Sequence, residues 1–339
     1  MTAGSSLGTV RRIVIPPIER LRLPRGGPIE ELCGATMGTT WSVRLVAHGA
    51  LDPPGLARSV ERELETVVEQ MSPWRADSDI SLFNRAPPGS EQRLPEPFFT
   101  VLAYALETAR DSGGAYDPTV GPLVDLWGFG PPGPRRAPPS SFAIDGARHA
   151  LGWNRIVLDA SQRTARQPGG VRLDLSAVAK GYAVDRVAAL LRGREIESFL
   201  VEIGGELRGE GVKPDGQPWW IALERPGPAD AAVETVVALH RLSVATSGDY
   251  RKCFEFGGVR YAHTIDPRTA RPVASDVVSV TVIHADCMAA DALSTALYVL
   301  GPKAGLDFAA DRGLAALFVR RIGAGVAEVL TPAFATMLE

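Results

Sequence analysis

Residues 199–223 read FLVEIGGELRGEGVKPDGQPWWIAL. The two ends of this stretch, 199–203 and 219–223, are runs of aliphatic, aromatic and β-branched residues of strand length. Between them the glycines at 204, 205, 209, 211 and 216 punctuate the chain. The pair Gly204-Gly205, directly after an apolar strand, makes a tight turn or lets another backbone come close. Strand therefore follows strand here through a glycine-rich turn. The same texture recurs outward along the chain. Strand-like runs fall at 39–46, 155–158, 170–173, 235–239, 277–283 and 315–319. Helical periodicity falls at 52–71, with Leu56, Val60, Leu64, Val67 and Met71 on one face, and at 97–110, 142–151, 176–191, 289–300 and 301–311. Runs of strands, without strict strand–helix alternation, predict an α+β fold with antiparallel sheets flanked by helices.

The chain has 339 residues, 45% apolar and 22% charged, with net charge −3. That is ordinary globular usage and enough length for a large core. Residues 1–28, rich in Pro, Gly and Arg, read as a tail, and 29–339 as the folded domain. The charge offers no basic field for nucleic acid. Cys33, Cys253 and Cys287 are too scattered for a disulfide framework or structural zinc. The five histidines lack zinc-hydrolase spacing. No apolar run is long enough for a transmembrane helix. Neither a secretory h-region nor a lipoprotein cysteine box is seen, which gives a cytoplasmic expectation.

Five segments concentrate polar and glycine residues. GAYDPTVGPLVDLWGFG (114–130) is a shaped loop in which Asp117 is held extended by Pro118. Its Trp127 and Phe129 are either ligand platforms or a buried plug. DLSAVAKGYAVD (174–185) follows a strand and starts a helix near Ser176. Such a start suits a phosphate, with Lys180 as a cation, or is a plain Ser176 cap. EIGGELRGEG (202–211) carries the close-approach glycines. ATSGDYR (245–251) and HTIDPRTAR (263–271) bring Thr246, Ser247, Asp249, His263 and Asp266; a His-x-x-Asp supplies acid–base chemistry or makes a turn. In DCMAADALSTA (286–296), Asp291 and Thr295 share a helix face, as a hard-oxygen set for Mg²⁺ or as local capping. Together they suggest a phosphorylated dinucleotide with Mg²⁺. No G-x-G-x-x-G follows a strand, so a Rossmann site is unsupported.

At these residues the sequence resembles the FAD:protein FMN transferase, or ApbE, family. The resemblance runs from about Gly34 to the C-terminus through MGTTWSV, MSPWRADSDISLFN, GAYDPTVGPLVDLWGFGP, LDLSAVAKGYAVD, VEIGGELRGEG, TSGDYR, HTIDPRTARPV and ADALSTALYVLGP. It implies two related halves in a T-fold-like architecture. It implies transfer of FMN from FAD to a Thr or Ser hydroxyl of a target flavoprotein, with AMP released. The acceptor would carry a Gly/Ser/Thr-rich motif. By motif, Met37, Trp74, Ala115, Tyr116, Asp117, Asp174, Lys180 and Ile265 resemble FAD-contacting positions. Mg²⁺ would sit on the side chains of Asp291 and Thr295 and the carbonyls of Ala177 and Ser294. His263 is the first candidate for the catalytic base and Asp249 the second. The family usually has Gly where Ala270 stands, so a positive φ there would strain this chain. An FAD pyrophosphatase and a non-catalytic FAD carrier are the competing readings.

Overall fold

In the computed structural model the described residues are 10–17, 23–24, 26–49, 51–224, 233–249, 252–323 and 325–338. Tyr250 and Arg251, the end of TSGDYR, lie outside them, as do residues 1–9, 18–22 and 25 of the expected tail. The frame is an eight-stranded sheet: β1 (Ile29–Thr36), β2 (Thr39–Val46), β3 (Phe199–Ile203), β4 (Glu206–Glu210), β5 (Leu242–Gly248), β6 (Val277–His284), β7 (Ala315–Ile322) and β8 (Gly325–Leu330). Spatial order follows chain order from β1 to β8, and every pairing is antiparallel.

Four long helices cover one face: α1 (Pro53–Met71), α2 (Glu96–Asp111), α3 (Ala179–Gly193) and α4 (Cys287–Asp311). The order is two strands, helices, two strands, and then the same again. β1–β2 are joined to β3–β4 through α1, α2 and α3, and β5–β6 to β7–β8 through α4. The expected two related halves are thus visible as a repeated order of elements. α4 bends at Gly301, with φ 82° and ψ −172°, followed by Pro302. That is where the sequence divides 289–300 from 301–311, because Pro cannot continue a straight helix.

Side-chain alternation in the strands sends Trp41, Val43, Leu45, Phe199, Val201 and Ile203 against α1–α3. The predicted stripe Leu56, Val60, Leu64, Val67 and Met71 is buried there. Ala245, Val280, Val282 and Phe318 face α4. The alternate residues Leu200, Val244, Leu317 and Val319 pack on a small sheet of Val10–Val14, Val233–Leu239 and Trp219–Ala222. Part of the expected tail, Val10–Val14, therefore pairs as a strand, parallel to Val233–Leu239.

Two expected elements change. Residues 170–173 are no strand; Arg172 makes only an isolated bridge to Val120. The helix placed at 176 starts at Ala179, with Val178 as its N-cap and no side-chain cap. Asp174 explains the delay: its Oδ1 accepts Ser176 N–H at 2.8 Å, which closes a turn where the helix would begin.

Two insertions meet in a satellite core. Gly121–Leu126 and Ser141–Arg148 come from the first half, and the hairpins around 253–272 from the β5–β6 connection. Trp127 is fully buried here and donates Nε1–H to the Ala270 carbonyl at 3.1 Å. Trp127 is the plug. Ala270 has φ 57° and is itself buried. A left-handed Ala costs about 1–2 kcal/mol. Against relief by Gly stand a lost methyl, about 0.8 kcal/mol, and glycine's greater chain entropy, about 0.5–1 kcal/mol. Ala270→Gly should therefore leave the denaturant-unfolding free energy within about 1 kcal/mol of the parent.

Candidate active site

The segment entering α3 is pinned from two sides. Asn84, in the MSPWRADSDISLFN motif, brackets Leu173: its Oδ1 accepts Leu173 N–H at 2.6 Å and its Nδ2 donates to the Leu173 carbonyl at 2.9 Å. Asp174 N–H donates to the Pro118 carbonyl at 2.7 Å, which ties this segment to the GAYDP loop. In that loop Ala115, Tyr116 and Asp117 are buried. Asp117 Oδ1 accepts from Thr119 N–H at 2.8 Å and Thr119 Oγ1 at 2.6 Å. Burial still holds its carboxyl above the usual value, with the Thr119 bonds opposing.

At the start of α3, Lys180 pairs with Glu206 of β4, a carboxylate only 4% exposed. Burial lowers the Lys180 ammonium, but the carboxylates of Glu206 and Asp291 outweigh it and leave it raised. Next along, Gly181 N–H donates to Asp291 Oδ2 of α4 at 2.9 Å. Among the described residues that is the only hydrogen bond to the Asp291 carboxylate. Burial raises the Asp291 carboxyl, opposed by Lys180 and the Gly181 N–H. Tyr116 is pushed well up by burial first and then by Asp291 and Asp174. Tyr116, Asp174, Lys180 and Asp291 therefore share one electrostatic neighbourhood.

Gly181 permits it. A Cβ there would lie 2.3 Å from the Cys287 carbonyl oxygen and 2.8 Å from Asp291 Cβ. Gly181→Ala should force α3 and α4 apart, costing about 1–3 kcal/mol. Thermal unfolding measures the loss, and activity should fall with it because Asp291 moves.

The hydroxyls come from α4 and β5. Ser294 Oγ donates to the Asp291 carbonyl at 2.9 Å. Ser247 Oγ, on β5, is 2.8 Å from Ser294 Oγ and 2.9 Å from Thr295 Oγ1. Asp291, Ser294 and Thr295 thus offer a carboxylate and hydroxyls, and Ala177 lies in the turn leading into α3. Among the described residues no three His, Cys, Asp or Glu side chains gather as a metal cluster. A cation held here would use one carboxylate with neutral oxygens.

The remaining expected residues lie on other segments of the fold. Met37 sits half-buried at the β1–β2 turn with φ 50°. Trp74 is 63% exposed on the loop after α1. Ile265 is buried in the satellite core. His263 is half-buried, with its ring edge-on to Phe129 at 6.3 Å between centroids, and its backbone N–H donates to the Lys252 carbonyl at 3.0 Å. Asp249 is engaged by two arginines. Arg321 of β7 holds its Oδ2 at 3.2 Å, and Arg260 donates to its carbonyl at 2.8 Å. No hydrogen bond or ion pair among the described residues joins Asp249 to Lys180 or Asp291. Sequence reasoning did not single out Asn84 or Glu206. The signal for Glu206 was a charge three residues beyond an apolar strand, inside what reads as a turn.

Comparison with known proteins bears on this arrangement. The ApbE family profile matches residues 37–318. A Vibrio cholerae protein named FAD:protein FMN transferase is 38% identical over 308 residues, covering 91% of this chain and 92% of its own. An Escherichia coli protein of the same name is 33% identical, covering 90% and 88%. The crystal structure of Pseudomonas stutzeri flavinyl transferase ApbE in its apo form superposes with a TM-score of 0.85 at 41% identity, covering 91% of this chain and 96% of that one.

Proposed function

The chain belongs to the ApbE family, and on that premise we propose that it is a Mg²⁺-dependent FAD:protein FMN transferase. The observation that carries the proposal is the Lys180–Glu206–Asp291 cluster, where two helix starts and β4 converge. FAD is the FMN donor. A Thr or Ser hydroxyl of a target flavoprotein, on a Gly/Ser/Thr-rich segment, attacks the FMN phosphorus. The new P–O bond forms to the acceptor oxygen, the bond to the AMP phosphate breaks, and the hydroxyl proton leaves to a base.

The chain's own residues do the positioning. Lys180, kept charged by Glu206, faces the pyrophosphate oxygens. The first turn of α3, which has no side-chain cap, adds its positive end. Tyr116, Asp117 and Asp174 shape a wall for FAD, the first two buried and Asp174 tied through its N–H to Pro118, with Met37, Trp74, Ala115 and Ile265 completing it. His263 is the group we assign to take the proton, with Asp249, whose Oδ2 faces Arg321, as the second candidate. The hard-oxygen set of Asp291, Thr295 and the carbonyls of Ala177 and Ser294 suits Mg²⁺, which favours few carboxylates and keeps positions for water and phosphate. When bound, the ion supplies charge neutralisation at the pyrophosphate. Orientation and electrostatics are the main source of rate in such phosphoryl transfers.

His263→Asn should lower turnover by about 10²–10⁴-fold with FAD affinity retained. Steady-state rates beside FAD fluorescence titration check this. For the reaction class, the purified chain is incubated with FAD, with and without Mg²⁺ and with and without an acceptor domain, and AMP is followed by chromatography. AMP that needs both Mg²⁺ and acceptor supports the transferase. AMP formed equally without acceptor indicates a pyrophosphatase. Bound FAD that stays intact indicates a carrier.

A further inference from the structure

α3 and α4 cap each other. Gly181 of α3 gives its N–H to Asp291 of α4. In return Asp185 of α3 accepts Cys287 N–H at 3.1 Å on Oδ1 and Met288 N–H at 2.9 Å on Oδ2. Each helix thus offers an early amide and, four residues on, a carboxylate. Asp286, in the N-cap position of α4, makes no side-chain cap. The cap comes instead from a residue more than a hundred positions upstream, on the other helix.

Arg208 of β4, 8% exposed, holds this capping carboxylate. Its Nη1 donates to Asp185 Oδ1 at 3.1 Å, to Ser243 Oγ at 3.3 Å and to the Ala285 carbonyl just before α4. β4 therefore presents Glu206 to Lys180 and, two residues on, Arg208 to Asp185. The two carboxylates have different uses. Asp185 spends both oxygens on amides and is matched by a guanidinium. Asp291 accepts one amide on Oδ2 and, among the described residues, no hydrogen bond on Oδ1.

We propose that Asp185, clamped by Arg208, is a positioning residue for the metal-binding oxygens. By fixing the first turn of α4 on α3, it sets where Asp291, Ser294 and Thr295 stand against Ala177. The inference rests on the Mg²⁺ reading above. Partners that orient ligand-bearing groups typically change metal affinity by about 10–100-fold when removed.

The test is Mn²⁺ alone, titrated into the full chain and followed by electron paramagnetic resonance. The parent should bind Mn²⁺ and Asp291→Asn should not. Asp185→Ala should weaken binding about 10–100-fold. Asp185→Asn, which keeps one acceptor, should weaken it less. Phe334→Leu, in the core on the opposite sheet face, should lower the melting temperature without moving Mn²⁺ affinity. If Asp185→Ala does not fold, Asp185→Asn and Arg208→Met carry the test. Parent-like Mn²⁺ affinity in the folded Asp185 and Arg208 variants overturns the inference alone. No Mn²⁺ binding by the parent overturns the metal reading, and the inference with it.

Discussion

Asp291→Asn is expected to cut flavin transfer by about 10³-fold or more while the protein stays folded. The asparagine has the same size and keeps an oxygen that can accept the Gly181 N–H now given to Asp291. What it loses is charge. In the set Ala177, Asp291, Ser294 and Thr295 that charge is the only formal negative one, so the oxygen set loses most of its hold on a divalent cation. Lys180 also loses one of the two carboxylates that keep it raised. The measurement is AMP release over a Mg²⁺ titration, beside FAD binding by fluorescence quenching. FAD should still bind, more weakly. Parent-like turnover at low Mg²⁺ would remove Asp291 from the metal.

Lys180→Met is expected to fail in two separable ways. Glu206 is 4% exposed and would lose its Lys180 ion pair. Removing one partner of a buried pair costs about 3–5 kcal/mol, and Lys180, 30% exposed, places this toward the lower end. Transfer should also fall sharply, since no cation would face the pyrophosphate. The double variant Lys180→Met/Glu206→Met should regain most of the stability, because both charges of the buried pair are removed together, yet none of the activity. Lys180 is held above its ordinary value. Its stabilisation is therefore fully present below the unfolded pKa of about 10.4 and is lost as pH rises through the raised folded value. The stability gap between variant and parent should be constant from about pH 6 to 9 and close only in stronger alkali. A double variant as unstable as the single one would mean that Lys180 acts through packing of its stem.

What could be read from the residues follows burial. β2, β3, β6 and β7 were legible because their side chains alternate or run apolar between two packed faces. β4 and β5 were not. ELRGE spends Glu206 and Arg208 on α3, and LSVATSG spends Ser243 and Ser247 on hydroxyl and guanidinium partners. Strands that carry a site look like loops, since their inward positions are polar. β1 was missed for another reason: it is the sheet edge, and IEELCGAT alternates little because much of it is exposed. At the site, Lys180 and Asp291 stood out as charges beside glycines and alanines. Their meeting did not, because it depends on Gly181 allowing α3 and α4 to touch. Asp249 stood out as a candidate base, but its ion pair with Arg321, 72 positions away, is one that no local pattern signals.

The most direct test of the central claim is the intact mass of an acceptor domain after incubation with the chain, FAD and Mg²⁺. The account predicts one added FMN phosphoester on a single Thr or Ser, matched mole for mole by AMP and absent with a chelator or with Asp291→Asn. AMP accumulating while acceptors that other flavin transferases of this kind modify keep their unmodified mass would contradict it.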